Sequence, residues 1–239
     1  MRDLSIIIPA FNEASRIGRT LYSIAAFLDE RDCDDQVIVV NDGSTDNTAA
    51  VAQGYAHLFR HFRVLTTERN VGQGHAVRKG MLTGTGRHRL FLDADTSVHI
   101  GEFDRLMAAA EAEPIVPAVI AGSFAESAAP APRSGLNRLS KLVERTMLPG
   151  LTDTHRGFKI FSGEATDAIF SRCSSNGWAF DAEALAYARG LGYHVLEVPV
   201  SWERREDSGV SAASYLAGGL ELARFKLRGE REISDLQRA

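Results

Sequence analysis

Residues 89–97 read RLFLDADTS: a short run suited to a buried strand meets two aspartates, Asp93 and Asp95, separated by one alanine. The arrangement recurs upstream. LSIIIPAF (4–11) is a β-branched run ended by Pro9 and followed by the rest of PAFNE. QVIVV (36–40) runs into NDGSTDNT, and FRVLTT (62–67) precedes NVGQG. Each run has the length and residue types of a strand. Helical spacing fills the gaps: Ile17, Leu21, Ile24, Ala25 and Leu28 share one face between 13 and 30. A helix is expected around 47–57 with Asp46 as its N-cap, and another continues from NVGQGHAVRKGML. Strands alternating with helices predict an α/β fold, a doubly wound and mostly parallel sheet. In such sheets ligands bind beyond the carboxyl ends of the strands. PAFNE, NDGS, NVGQG and DADTS all fall there, so they would line one edge.

Further along, 102–112 reads as a helix and VPAVIAGS (116–123) as a strand. AESAAPAPRSG (125–135) is loop-like, and LNRLSKLVERTMLPGL (136–151) is amphipathic and basic. Turn and strand (TDTHRGFKIF), helix (WAFDAEALAYARGLG), strand (YHVLEVPVSWE) and a final helix (SYLAGGLELARFKLRGERE) follow.

The bulk numbers exclude several classes. The chain has 239 residues, 44% hydrophobic and 24% charged, with a net charge of −4, which gives no electrostatic footprint for nucleic acid. Cys33 and Cys173 have neither metal-site nor disulfide-framework spacing, which fits a reducing, cytoplasmic setting. The N-terminus does not read as a signal peptide. No stretch reaches the roughly 18 apolar residues of a membrane span, so a soluble protein, or one peripheral to the membrane's cytoplasmic face, is expected.

The motifs carry the chemistry. On an extended segment Asp93 and Asp95 point to the same side, where they repel each other unless a cation intervenes. Mg²⁺ commonly takes one or two carboxylates together with substrate phosphates. An acidic helix-capping turn is the bland alternative, and the other motifs at the same edge favour the metal. Asp42 either accepts from a base N–H or ribose hydroxyl, or makes an Asx-turn. NVGQGHAVRKG is glycine-rich but has neither GxGxxG nor GxxxxGK[ST], so a Walker site is not expected. Arg78 and Lys79, two turns into the helix, either reach a phosphate or lie solvated.

SIIIPAFNE, VIVVNDGSTDNT, NVGQGHAVRKGM, LFLDADTS, DTHRGFKIF, WAFDAEAL and EVPVSW, in this order, resemble the family 2 inverting glycosyltransferases of GT-A fold. The subgroup they are most similar to is the dolichyl-phosphate (polyprenyl-phosphate) β-glucosyltransferases, with the dolichyl-phosphate mannose synthases next. The resemblance spans about residues 4–227. It implies a single GT-A domain over 1–239, with a nucleotide-sugar-binding half at 1–123 and an acceptor-side half at 124–239. It implies that Pro9, Ala10, Phe11 and Glu13 line the nucleotide, that Asp42 contacts the base, and that Asn70 and Gly74 lie beside it, with Arg78 on the same loop and helix. Asp93, Ala94 and Asp95 match the DXD motif, the two aspartates binding magnesium or manganese and Asp95 being the more direct ligand. On the acceptor side it implies roles for Asp153, Trp178, Asp181, Glu183 and Trp202.

The chain departs from the pattern in places. Phe11 stands for a tyrosine, Asn41 for an aspartate, Gln73 for a lysine and Arg156 for a small residue. Phe124 replaces the arginine of a Gly-Ser-Arg string, and Asp207-Ser208-Gly209 replaces a Gly-Ser-Lys string. Arg133, Arg138, Arg156, Arg204 and Arg205 are candidate replacements for the lost charge.

The implied reaction moves a hexose from a sugar nucleotide, UDP-glucose before GDP-mannose, to a polyprenyl or dolichyl phosphate with inversion. A phosphate acceptor needs no strong base; for a hydroxyl acceptor Asp153 or Asp181 would serve. Two alternatives stand beside it: a soluble GT-A enzyme with a small-molecule acceptor, and a nucleotide-binding module without turnover. For the lipid, the stripe Leu136, Leu139, Leu142, Val143, Met147 and Leu148 either lies at an anionic membrane interface or packs on the core. The stripe Leu216, Leu220, Ala223 and Leu227 of the last helix, with Arg224 and Arg228 beside it, is expected to pack on the core, the alternative being the same membrane interface.

Overall fold

The computed structural model describes residues 2–31, 33–124, 148–151, 157–202, 212–236 and 238, with backbone alone at 124, 212–217, 230, 231 and 234–236. Asp153, Arg133, Arg138, Arg156, Arg204 and Arg205 lie outside the described residues, as does the 136–147 stretch.

Within the described residues the strands are β1 (Arg2–Ala10), β2 (Gln36–Asn41), β3 (Phe62–Thr66), β4 (Gly86–Leu92), β5 (Val119–Phe124), β6 (Phe158–Ser162) and β7 (Val195–Val200). The helices are α1 (Ile17–Asp29), α2 (Thr48–Gly54), α3 (Gln73–Thr83), α4 (Glu102–Glu111), α5 (Gly163–Phe170), α6 (Phe180–Gly190) and α7 (Ala212–Leu236). The seven strands form one sheet in the order β3-β2-β1-β4-β6-β5-β7. Its pairings are parallel except those of β6, which runs against both β4 and β5.

Strand alternation sends successive side chains to two separate cores. Ile6, Ile8, Val37, Val39, Leu90 and Leu92 meet Ile17, Leu21 and Ile24 of α1 and Phe103 and Leu106 of α4. Ile7, Ile38, Val40 and Phe91 face the other way, onto α3, α5, α6 and α7. Both faces of β1 and β2 are covered, which is why their sequences are unbroken apolar runs rather than alternating ones.

Four expectations change. Pro9 does not end β1; it pairs in register with Val40. The Ala10 carbonyl accepts from Asp42 N on the β2 side. Pro9 therefore faces β4, whose ladder with β1 has ended at Ile7↔Phe91, so no hydrogen bond is lost. β5 starts at Val119 rather than 116: Val116 is 80% exposed, and Pro117 cannot donate to a ladder. Helix α5 was not anticipated, although Ser162 caps it by accepting from Ala165 N.

In α7 it is Leu222 and Phe225 that are buried, against Tyr187 of α6, while Leu220 and Leu227 are 60% and 77% exposed. The helix carries two apolar stripes, and the one with the aromatic faces the core. A Cβ on Gly229 would collide with the Phe225 ring, so glycine there admits that packing.

Candidate active site

Because β6 is antiparallel, it enters the sheet at the edge where β4 leaves it. Leu92 pairs with Phe158, and Asp93 N donates to the Gly157 carbonyl at 3.0 Å. The carboxyl ends of β1 to β4 and the start of β6 therefore share one rim.

The β1 and β2 loops are stitched together there. Asn12 N donates to Ser44 Oγ at 2.9 Å, and Asn12 Oδ1 accepts from Thr45 N at 2.9 Å. Asn12 adopts φ +56°, a conformation asparagine tolerates better than most residues. Glu13 N donates to Thr48 Oγ1, and Ala14 N to Asp46 Oδ2. Asp46 Oδ1 accepts from Thr48 N, so Asp46 satisfies the start of α2 from one residue before the geometric cap, Asn47. Slight desolvation pushes Asp46 up, but the bonds from Thr48 and Ala14 outweigh it and hold the carboxyl below its usual range.

Asp42 is 2% exposed and organises the next loop. Its Oδ2 accepts from Val71 N at 3.0 Å and Gly72 N at 2.7 Å, and its Oδ1 from Thr67 Oγ1 at 3.1 Å. Gly72 takes φ +126° as the residue before α3, a region closed to other side chains. A Cβ on Gly74 would strike the Ser175 carbonyl, so glycine lets α3 seat against the turn before α6. Asn70 stays exposed on this loop.

β4 ends at Leu92, and Asp93 follows at its mouth. The Asp93 and Asp95 pair is not on a continuous strand: Ala94 and Asp95 form a turn, and Thr96 has φ +58°. The turn is held by Ser97 N donating to Asp95 Oδ1 at 2.9 Å and by Thr20 Oγ1 donating to the Ala94 carbonyl. Ala94 is buried among Ile8, Leu92 and Ile100 in the same core, while its two acidic neighbours are only half-buried. Gln73 Nε2 donates to Asp93 Oδ1 at 2.9 Å, and a Cβ on Gly157 would overlap the Asp93 carboxylate.

Glu13 lies within electrostatic reach of Asp95. Desolvation raises its pKa; the neighbouring Arg16 opposes this, and the charges of Asp95 and Asp46 add to it. Phe11 is 42% exposed beside it in the chain. Pro9, Ala10, Phe11, Glu13, Asp42, Asn70, Gly74, Asp93, Ala94 and Asp95 thus lie along the one rim.

Among the described residues no group of three or more His, Cys, Asp or Glu side chains converges as a metal cage. The donor set at the rim is two hard carboxylates. That suits Mg²⁺ or Mn²⁺, which take few protein ligands and complete their shell with phosphate oxygens and water.

The acceptor-side acids sit differently. Asp181 is 4% exposed, and its Oδ1 lies 2.8 Å from Nζ of Lys159, which is wholly buried. Lys159 also lies over the Phe91 ring. Glu183 is buried and accepts from Ser174 N, Ser175 N and Ser174 Oγ, with Arg228 Nη2 at 3.4 Å. It braces the turn before α6. Arg78 donates to the Cys173 carbonyl and to Asn176 Oδ1, so it ties α3 to that same turn. Trp178 projects from the turn at 38% exposure. Trp202 is brought to the β4 turn by its bridge with Val98. Lys159, Gly157 and Gln73 have structural roles the motif reading did not assign. Gly157 and Lys159 belong to the same TDTHRGFK string as Asp153, and pairing of β6 with β4 shows what they do there.

This geometry, acids and turns gathered on the carboxyl rim of a mostly parallel sheet, is that of a GT-A glycosyltransferase. Residues 5–170 match the model of glycosyl transferase family 2, and the chain belongs to that family. It is a glycosyltransferase. A dolichyl-phosphate beta-glucosyltransferase of Drosophila melanogaster is 34% identical over 99% of this chain and 79% of its own length. One of Trichomonas vaginalis is 32% identical over 93% of this chain and 70% of its own. Glucosyl-3-phosphoglycerate synthase of Mycobacterium tuberculosis, solved with Mn²⁺, UDP-glucose and glycerol 3-phosphate, superposes with a TM-score of 0.68 at 20% identity, over 93% of this chain and 79% of that one.

Proposed function

We propose that this chain transfers glucose from UDP-glucose to a dolichyl or other polyprenyl phosphate, with inversion at the anomeric carbon and with help from Mg²⁺ or Mn²⁺. The observation that carries the proposal is the Asp93-Ala94-Asp95 turn, aimed off the end of β4 beside Glu13 and braced by Gln73 and Gly157. The names of the relatives support the donor sugar and the lipid acceptor, and the bound ligands of the structural neighbour support UDP-glucose with a divalent cation.

In this reading Pro9, Ala10, Phe11 and Asn70 border the nucleotide, and the loop held by Asp42 shapes the base pocket. Negative charge grows on the diphosphate as the glycosidic bond breaks, and a cation held by Asp93 and Asp95 supplies its stabilisation. The acceptor phosphate is already an anion, so attack from the opposite face needs no general base. That agrees with Asp181 being tied to Lys159 rather than poised to take a proton. In this reading the acceptor side is assigned Trp178 and Trp202, together with Asp153, Arg133, Arg138, Arg156 and Arg205, which lie outside the described residues. Contact with a membrane surface would use the outward face of α7, where Leu220, Ala223, Arg224 and Leu227 are exposed together. No helix among the described residues is long and apolar enough to cross a membrane.

The test supplies UDP-glucose or GDP-mannose with Mn²⁺, and dolichyl phosphate or 3-phosphoglycerate as acceptor, and follows labelled hexose into the organic or aqueous phase. Glucose from UDP-glucose in the lipid fraction is expected. Transfer to the soluble acceptor alone, or from GDP-mannose alone, would overturn the proposal.

A further inference from the structure

The start of α3 holds a carboxylate from each of two neighbouring loops. Gly72 N donates to Asp42 Oδ2, and the next residue, Gln73, donates through its side-chain amide to Asp93 Oδ1 at 2.9 Å. Asp93 is pinned from the other side as well. Its backbone is bonded to Gly157, and its carboxylate fills the space where a Cβ at position 157 would stand. One oxygen is thus held by an amide and the group as a whole by a glycine cradle.

From this geometry we infer that Gln73 is a positioning residue: it sets the orientation of the Asp93 carboxylate with which the chain grips the cation on the donor diphosphate. The inference rests on the reading of Asp93 and Asp95 as the cation site. The chemical type of the donor matters. A carboxamide orients a carboxylate without itself cancelling the charge. The partner that orients a ligating carboxylate commonly governs metal affinity about 10- to 100-fold.

The experiment measures Mn²⁺ binding to the full chain in the presence of UDP, from the electron paramagnetic resonance of free Mn²⁺, and separately UDP binding without metal by calorimetry. Gln73→Met keeps the length of the side chain and removes the donor. Gln73→Met is expected to weaken Mn²⁺ binding about 10-fold or more, with metal-free UDP affinity and melting temperature unchanged.

Wild-type Mn²⁺ affinity in Gln73→Met would overturn the inference. So would an equal loss of metal-free UDP binding, which would make Gln73 a direct nucleotide ligand. Asp93→Asn separates this from the underlying reading. If Asp93→Asn binds Mn²⁺ like wild type, the cation site itself is wrong and the inference falls with it. If only Gln73→Met does so, the site stands and the positioning role does not.

Discussion

Two pairs of acids show how one residue type takes opposite parts in this molecule. Asp93 and Asp95 sit half-buried at the strand rim and are oriented by neutral donors, the Gln73 amide and the Ser97 N–H. Asp181 and Glu183, two residues apart at the start of α6, are almost wholly buried. The first is met by the Lys159 ammonium, and the second by three donors from Ser174 and Ser175. A neutral donor fixes where a carboxylate points without itself cancelling the charge. A buried cation or a full set of N–H donors uses the carboxylate up within the fold. Acids that read alike in sequence are therefore sorted by the groups their environment sets against them.

The comparison is broken most severely by removing a buried cation. Lys159→Met leaves Asp181 with its charge enclosed and its ammonium partner gone, which is expected to cost about 3–5 kcal/mol of stability, read from the urea midpoint. An unchanged midpoint would show that the pair is not structural.

At the rim the converse holds. Asp95→Asn keeps an oxygen to accept from Ser97 N but removes the charge. Transfer should fall by about 10²- to 10³-fold, the scale of losing one electrostatic stabiliser of the transition state, while the melting temperature holds. Retained turnover would remove Asp95 from the machinery.

The smallest effect sharpens the boundary between the two pairs at Glu13, whose burial raises its pKa from 4.5. A carboxyl with a raised folded pKa binds protons more tightly in the native state than unfolded. The native state is therefore penalised as pH rises from about 4.5 through the folded value, and the penalty stays in place above it. Glu13→Gln removes it, so this variant should gain stability relative to wild type as pH rises through that window and show no gain below it. Parallel unfolding curves at every pH would refute this.

Much of the rim was legible beforehand because each strand advertises itself by an apolar run and each loop by a polar motif directly after it. The four motifs were expected on one edge, and the sheet puts them there. The second half was less transparent. WAFDAE reads as a motif, yet nothing in it says that Asp181 meets a lysine brought in by β6. Arg78 was open between phosphate and solvent, and its guanidinium instead spans to Cys173 and Asn176. In α7 the stripe Leu220, Ala223 and Leu227 has the same helical spacing as the buried Leu222 and Phe225. Periodicity identifies an apolar face without saying which of two will find a partner.

What the sequence by itself determined is the local order: strand, polar turn and helix in alternation, and hence a mostly parallel sheet with its ligand edge at the carboxyl ends. Backbone sterics and the burial of apolar runs act over a few residues, so a linear reading captures them. Which groups each acid meets was decided by tertiary structure alone. That outcome depends on groups 20 or more residues away, Gln73 beside Asp93 and Lys159 beside Asp181, meeting only when β4, β6 and the helices close around them. An ion pair or hydrogen bond is a matter of ångströms in space, and distance along the chain carries no record of it.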